Sequence, residues 1–496
     1  MNITNFIEKF KKTKDFLYKK IQNIKELKIF IKPFLILAVI YIIAFSAIIR
    51  ANFLYIDDLG RTFNGYKDWD GFSRYTSNFL STIIHCGNYL TEISPLTQII
   101  AIVFLSISGI IILYVLTKKH NFTFWEYTSV AILGLSPYFL ECISYKYDSP
   151  YMALSILASV FPMLFYNKKY ISFIIVTMLS IIIVCTTYQA SLGIFPMFVI
   201  IMAFIMWSRK DNLKDIIKFI GYALIGYLLG VIIFKLFIMT SINIYVSSNI
   251  STDIKLIIEN YKKFFGYIKS DFKPEWILLI FILYLSFIYK SVRNSEQNKF
   301  LTFIISLFMI IILNCICFGL YPLLEKPLFN PRAMYGFGVC ISLLATYLAI
   351  SDKFIIGKLI STLIFWVFFV FAFTYGNALY QQQEYTDFRI ELVINDLIDN
   401  DLLSVDKTKN FRIIGDIGEA PALRNIPKDC GILSRLIPTT FGDSTWKWAV
   451  KKFRDYYGMK NIKIDNNISK ELPIIESNIY HTIKANETDI LIELNP

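Results

Sequence analysis

The chain has 496 residues, of which 55% are hydrophobic and 17% aromatic, and a mean hydropathy of +0.52. A soluble chain of this length needs polar surface for several domains, and this composition leaves too little, so that class is excluded. The net charge of +12 does not point to nucleic acid, because the lysines and arginines sit mainly in short turns between apolar runs, where they act as orientation signals.

The first segment, 1–32, carries nine lysines and no small-residue cleavage site, so no removable signal peptide is expected. Its apolar residues recur at helical spacing among the lysines. That suits a helix lying on an anionic membrane surface, or equally a plain positive-inside anchor. Eleven apolar runs follow, at about 33–50, 96–117, 125–143, 151–167, 170–187, 190–208, 216–240, 275–291, 300–320, 334–351 and 358–378. The chain is therefore expected to be a polytopic α-helical membrane protein with about 11 transmembrane helices. The N-terminus, "TKKH", "NKK", "SRKDNLK", "KSVRNSEQNK" and "DKFIIGK" fall on one side and are all basic, which makes that side cytoplasmic. An odd number of spans then leaves the C-terminus outside. In the tail, 379–496, "QQQEYTDFRIELVINDLIDNDLL" predicts a helix and "FRIIGDIG" and "TDILIELN" predict short strands, so a small outer α/β domain is expected there.

The outer face collects the chemistry. The first outer loop, 51–95, contains "YIDDLGRTFNGYKDWDGFSRYTS", and its second half predicts an interfacial helix with Arg74 near the start. Asp57 and Asp58 stand at the mouth of the first span, where carboxylates are costly unless solvated, paired or used. Being adjacent, they diverge, and one of them can face a central cavity. Lys146, Tyr147 and Asp148 end the third span, Tyr188 and Gln189 close the fifth, and Arg332 opens the tenth. Acids, arginines and aromatics thus converge from four segments. A carboxylate can take a proton from an acceptor hydroxyl. Arg61, Arg74 and Arg332 can hold a phosphate through paired bonds, with Lys146 as a point charge. Tyr66 and Trp69 can stack on sugar faces. The plain alternatives are an aromatic belt and a salt-bridged cap. Seven cysteines, mostly in or near spans, and three scattered histidines suggest neither a disulfide scaffold nor a zinc or haem site.

"YIDDLGRTFNGYKDWDGFSRYTS", "SPYFLECISYKYDSPYMAL" and "YQASLG", with "NPRAMYG" more loosely, resemble the GtrII-type serotype-converting glucosyltransferases, multispan enzymes of the GT-C class. The resemblance covers the first half well, while the last ~120 residues match only as a variable outer tail. It implies a GT-C-like domain over 33–378 that moves glucose from undecaprenyl-phosphate-glucose to O-antigen lipopolysaccharide at the periplasmic face of the inner membrane. The catalytic acid would be Asp57 or Asp58. A flippase and a polyprenyl-phosphate glucosyltransferase are the implied functional partners. No metal site is expected, although a divalent cation is compatible with the chemistry. "DWDGFSRYTS" departs from the family pattern in having no proline after its arginine, which leaves acceptor and linkage open.

Two other classes compete. A transporter or flippase of polyprenyl-linked sugars should show charged or broken helices near the midplane and often a repeat. Here Lys235 is the one mid-span charge of note, and no repeat is visible. An O-antigen polymerase or ligase should show a dominant arginine-rich outer loop in place of an Asp-Asp one.

Overall fold

The computed structural model describes residues 28–240, 249–350, 354–403, 407–425, 430–443 and 447–496. The basic N-terminal segment lies outside the described residues except for its last five positions, as does part of the 241–274 loop.

The first apolar run forms α1 (Ile31–Ala51). The loop after it holds α2 (Asp57–Asn64) and α3 (Tyr75–Ile84), the latter where an interfacial helix is expected. The bundle continues with α4 (Leu96–Thr117), α5 (Phe124–Leu135), α6 (Pro137–Ser144), α7 (Ser149–Val160), α8 (Tyr170–Thr187), α9 (Ile194–Ser208) and α10 (Leu213–Ile233). After α11 (Ile254–Asp271) come α12 (Pro274–Asn294), α13 (Lys299–Ile316), the short α14 (Pro331–Met334), α15 (Gly336–Ala349) and α16 (Ile355–Asp399). Among the described residues, 8 helices are long and apolar enough to cross a membrane: α1, α4, α8, Gln189–Ser208, Leu213–Ile238, α12, α13 and α16.

The other three expected spans, 125–143, 151–167 and 334–351, are shorter or broken. Pro137 has no N–H and forces Ser136 to φ −52°, ψ 132°, which separates α5 from α6. α5, α6, α7 and α15 are buried nearly all round, so they form the centre of the bundle. Small residues let these helices approach. Ser342 Oγ donates to Ser129 O at 3.2 Å, and a side chain at Gly338 would collide with Ser136. Gly226 and Gly230, one turn apart on α10, likewise admit Thr177 and Ile181 of α8.

The basic turns gather at one end. Lys118 lies 4.4 Å from the Tyr166 ring, and Glu296 N donates to Ser208 O at 2.8 Å. At the other end sits the tail, with a 5-stranded sheet of order β2-β1-β5-β4-β3. Its strands are β1 (Lys409–Ile414), β2 (Ile462–Ile464), β3 (Ile474–Ser477), β4 (His481–Ala485) and β5 (Asp489–Leu494); β1 is parallel to β2 and β5, and β4 antiparallel to β3 and β5. The two strands and the helix expected in the tail are present, but the helix is the second half of α16. The boundary expected at 378/379 therefore falls inside one unbroken 45-residue helix. Gln382, Thr386, Arg389, Ile390, Val393 and Leu397 form its buried stripe against the tail.

Candidate active site

The loop after α1 begins with a forced bend. Ile56 holds φ 44° and ψ −93° directly before α2, a backbone region that costs a β-branched residue on the order of 1–3 kcal/mol. α2 then starts on the two acids, which part company. Asp58 is fully buried, and its Oδ2 accepts from the backbone N–H groups of Tyr55 at 3.2 Å and Lys146 at 2.9 Å. Burial outweighs these bonds and the nearby Arg61, and pushes the carboxyl up to about 7. Asp58 fastens the first loop to the 145–148 turn. Asp57 lines a cavity of about 500 Å³ and has no hydrogen-bond or ion-pair partner among the described residues.

The expected outer segments meet around that cavity. Arg61, Trp69, Phe72 and Arg74 come from the first loop, Tyr145 and Asp148 from the next turn, and Gln189 from the turn that closes the fifth expected span. Phe234 and Lys235 come from the end of α10, and Leu320, Tyr321, Leu324, Leu328 and Arg332 from the stretch between α13 and α15. Arg61 pairs with Asp148, whose Oδ1 also accepts from Trp69 Nε1 at 2.6 Å. The Arg61 guanidinium lies 4.7 Å from the Trp69 ring. Arg332 pairs with Glu141, whose other oxygen accepts from the Arg332 backbone N–H at 2.6 Å. Arg74 has no such acid among the described residues. It stacks 4.6 Å from Tyr188 and 5.0 Å from Phe72, its Nε is buried without a partner, and burial lowers its pKa.

Of the residues singled out from sequence, Asp57, Arg61, Trp69, Arg74, Asp148, Gln189 and Arg332 line the cavity, and the others stand behind its wall. Lys146 donates to Asn52 Oδ1 at 2.6 Å and Glu92 Oε2 at 3.1 Å, so its charge is directed away from the cavity. Tyr147 shares a hydrogen bond with Thr62 at 3.1 Å and stacks on His85, and burial raises its phenol to about 12. Tyr66 sits on the far side of α2 beside Gly60, likewise raised by burial to about 12. Tyr188 is the aromatic support under Arg74 and stacks 6.1 Å from Tyr335.

Three contributions are new relative to the sequence reading. Glu141 was detectable as an acid inside an apolar run. Lys235 was visible only as an isolated mid-span charge. The third is the tail: Leu436 O accepts from Tyr55 OH at 2.8 Å, Arg435 pairs with Asp271, and Trp448 packs on Gly60 so closely that an added Cβ would lie 2.9 Å from its ring. The tail thus braces the segment that presents Asp57.

A membrane-embedded helical bundle that encloses, at the end opposite its basic turns, an acid unpaired among the described residues, several guanidinium groups and apolar side chains has the equipment of a group-transfer enzyme. The chain belongs to the GtrII glucosyl transferase family: the family model matches residues 46–343, from the end of α1 into α15. It is a glycosyltransferase. The chain is also 27% identical over 497 residues to a protein of Salmonella phage P22 described as an uncharacterized 55.3 kDa protein in the gtrB 5′ region, covering 94% of this chain and 99% of that one.

Proposed function

We propose that the protein moves glucose from undecaprenyl-phosphate-glucose to an O-antigen sugar at the periplasmic face of the bacterial inner membrane, with Asp57 as general base. The observation that carries this reading is Asp57 itself, a carboxylate without a hydrogen-bond or ion-pair partner among the described residues, in a cavity lined by both cationic and apolar side chains. Asp57 takes the proton of the acceptor hydroxyl, the acceptor oxygen bonds to the sugar C1, and the C1–O bond to phosphate breaks, leaving polyprenyl phosphate. A single displacement of this kind inverts the anomeric configuration of the donor. The apolar residues Ile56, Met152, Leu192, Val231, Phe234 and Leu324 suit the first isoprene units. In this reading all eleven apolar segments span the membrane, with the basic end cytoplasmic and 379–496 outside. The relative's place beside gtrB supports a link to a polyprenyl-phosphate glucosyltransferase that makes the donor, which a flippase would deliver in this reading.

The test is transfer by the purified protein in nanodiscs, from polyprenyl-phosphate-glucose labelled in the sugar to isolated O-antigen. Label in the polysaccharide with inverted linkage supports the reading. Translocation of the lipid without transfer overturns it.

A further inference from the structure

The cavity holds four cationic side chains, but they are not equivalent. Arg61 is spent on Asp148 and Arg332 on Glu141. Arg74 and Lys235 have no carboxylate partner among the described residues, and both line the cavity. Lys235 lies in Phe234–Ile238, a π-helical turn that widens the end of α10; such turns insert a residue and re-aim side chains, often at functional sites. The two cations also sit on elements stapled together. Ser73 Oγ accepts from Thr240 N at 2.9 Å, and Tyr75 OH and Thr240 Oγ1 lie 2.8 Å apart. Arg74, between Ser73 and Tyr75, is thus held at a fixed relation to the end of the helix that carries Lys235.

An anionic group is the ligand this arrangement suits. Two cations without a carboxylate partner among the described residues line the same cavity as Asp57, together with the apolar side chains of Val231, Phe234 and Leu192. A phosphate on a long hydrocarbon chain matches both features. Resting on the function proposed above, we infer that Lys235 and Arg74 hold the phosphate of the polyprenyl donor, and that Arg61 and Arg332 shape the cavity as salt-bridged supports. Arg74 supplies directed N–H donors, including its unpartnered Nε, and Lys235 a mobile point charge at the lipid side. After glycosyl transfer, the same pair neutralises the leaving phosphate.

The experiment compares wild type, Lys235→Met and Lys235→Arg in nanodiscs of phosphatidylcholine, with and without phosphatidylglycerol. Expected in Lys235→Met is a rise in donor KM of roughly tenfold, the scale of one lost charge-assisted bond, exceeding any change in kcat. The inhibition constant of polyprenyl phosphate should rise in parallel, acceptor KM should stay unchanged, and Lys235→Arg should recover most of the loss. Donor KM and inhibition constant both unchanged would overturn the inference. So would an effect confined to discs containing phosphatidylglycerol, because Lys235 would then be anchoring to headgroups. Should wild type fail to turn over the donor, the underlying functional reading fails. Direct binding of polyprenyl phosphate to wild type and Lys235→Met then still decides the phosphate site, with equal affinities overturning it.

Discussion

Asp57 and Asp58 share a helix turn but not an environment, and their substitutions should separate. Asp57→Asn keeps shape and removes the base, so kcat should fall by about 10²–10⁴-fold with normal amounts of protein in the membrane; transfer at wild-type rate would remove Asp57 from the reaction. Asp58→Asn should act mainly through stability. Burial pushes the Asp58 carboxyl up to about 7 in the fold, against about 3.9 when unfolded. The folded state therefore holds the proton more tightly, and stability should decline as pH rises from about 4 to 7. Thermal unfolding of the detergent-solubilised protein should show that slope, and Asp58→Asn should flatten it; an unaltered slope would place the titration elsewhere. The sequence exposed this pair, since adjacent acids at the mouth of a span are rare. It did not decide which faced inward. That depends on the bend at Ile56 and on two backbone N–H groups, one of them 88 positions away on Lys146.

At the scale of elements, α2 is squeezed between the cavity and the tail. Gly60 has no room for a Cβ, which would collide with both the Tyr66 hydroxyl and the Trp448 ring. Gly60→Ala should therefore displace α2 and lower both activity and stability, the latter by about 1–3 kcal/mol as overpacking does. Adding Trp448→Leu should restore part of each; no recovery in the double variant would show that the contact with the tail is not what limits α2. Periodicity revealed α3, the tail strands β1 and β5 and most of the spans, because each is a local pattern, whereas the short β2, β3 and β4 were not read from it. Hydropathy merged α5 with α6, since Pro137 interrupts the helix without interrupting the apolar run. The Tyr55–Leu436 bond, 381 positions apart, leaves no trace in a single sequence.

For the whole molecule, the clustering of basic turns at one end and of cavity and tail at the other fits an odd number of crossings. A reporter active only outside the cytoplasm, fused after Pro496, should be active; silence from a well-expressed fusion would require an even count. α16 joins the two ends of this arrangement. Its 45 residues extend about 67 Å at 1.5 Å per residue, more than twice the roughly 30 Å hydrocarbon thickness of a bilayer. Gly376 is locked against Ala47 and Ile48 on the bundle side, and Gln382 bonds Gly418 O and Ala420 N on the tail side, with no joint between them. The helix is consequently a gear as well as a mast. One residue inserted after Tyr380 would turn the whole tail by about 100° and swing Trp448 off Gly60. Seven residues would bring it nearly back into phase but about 10 Å too high. Length changes that a surface loop would absorb are here converted into rotation of the brace that holds Asp57.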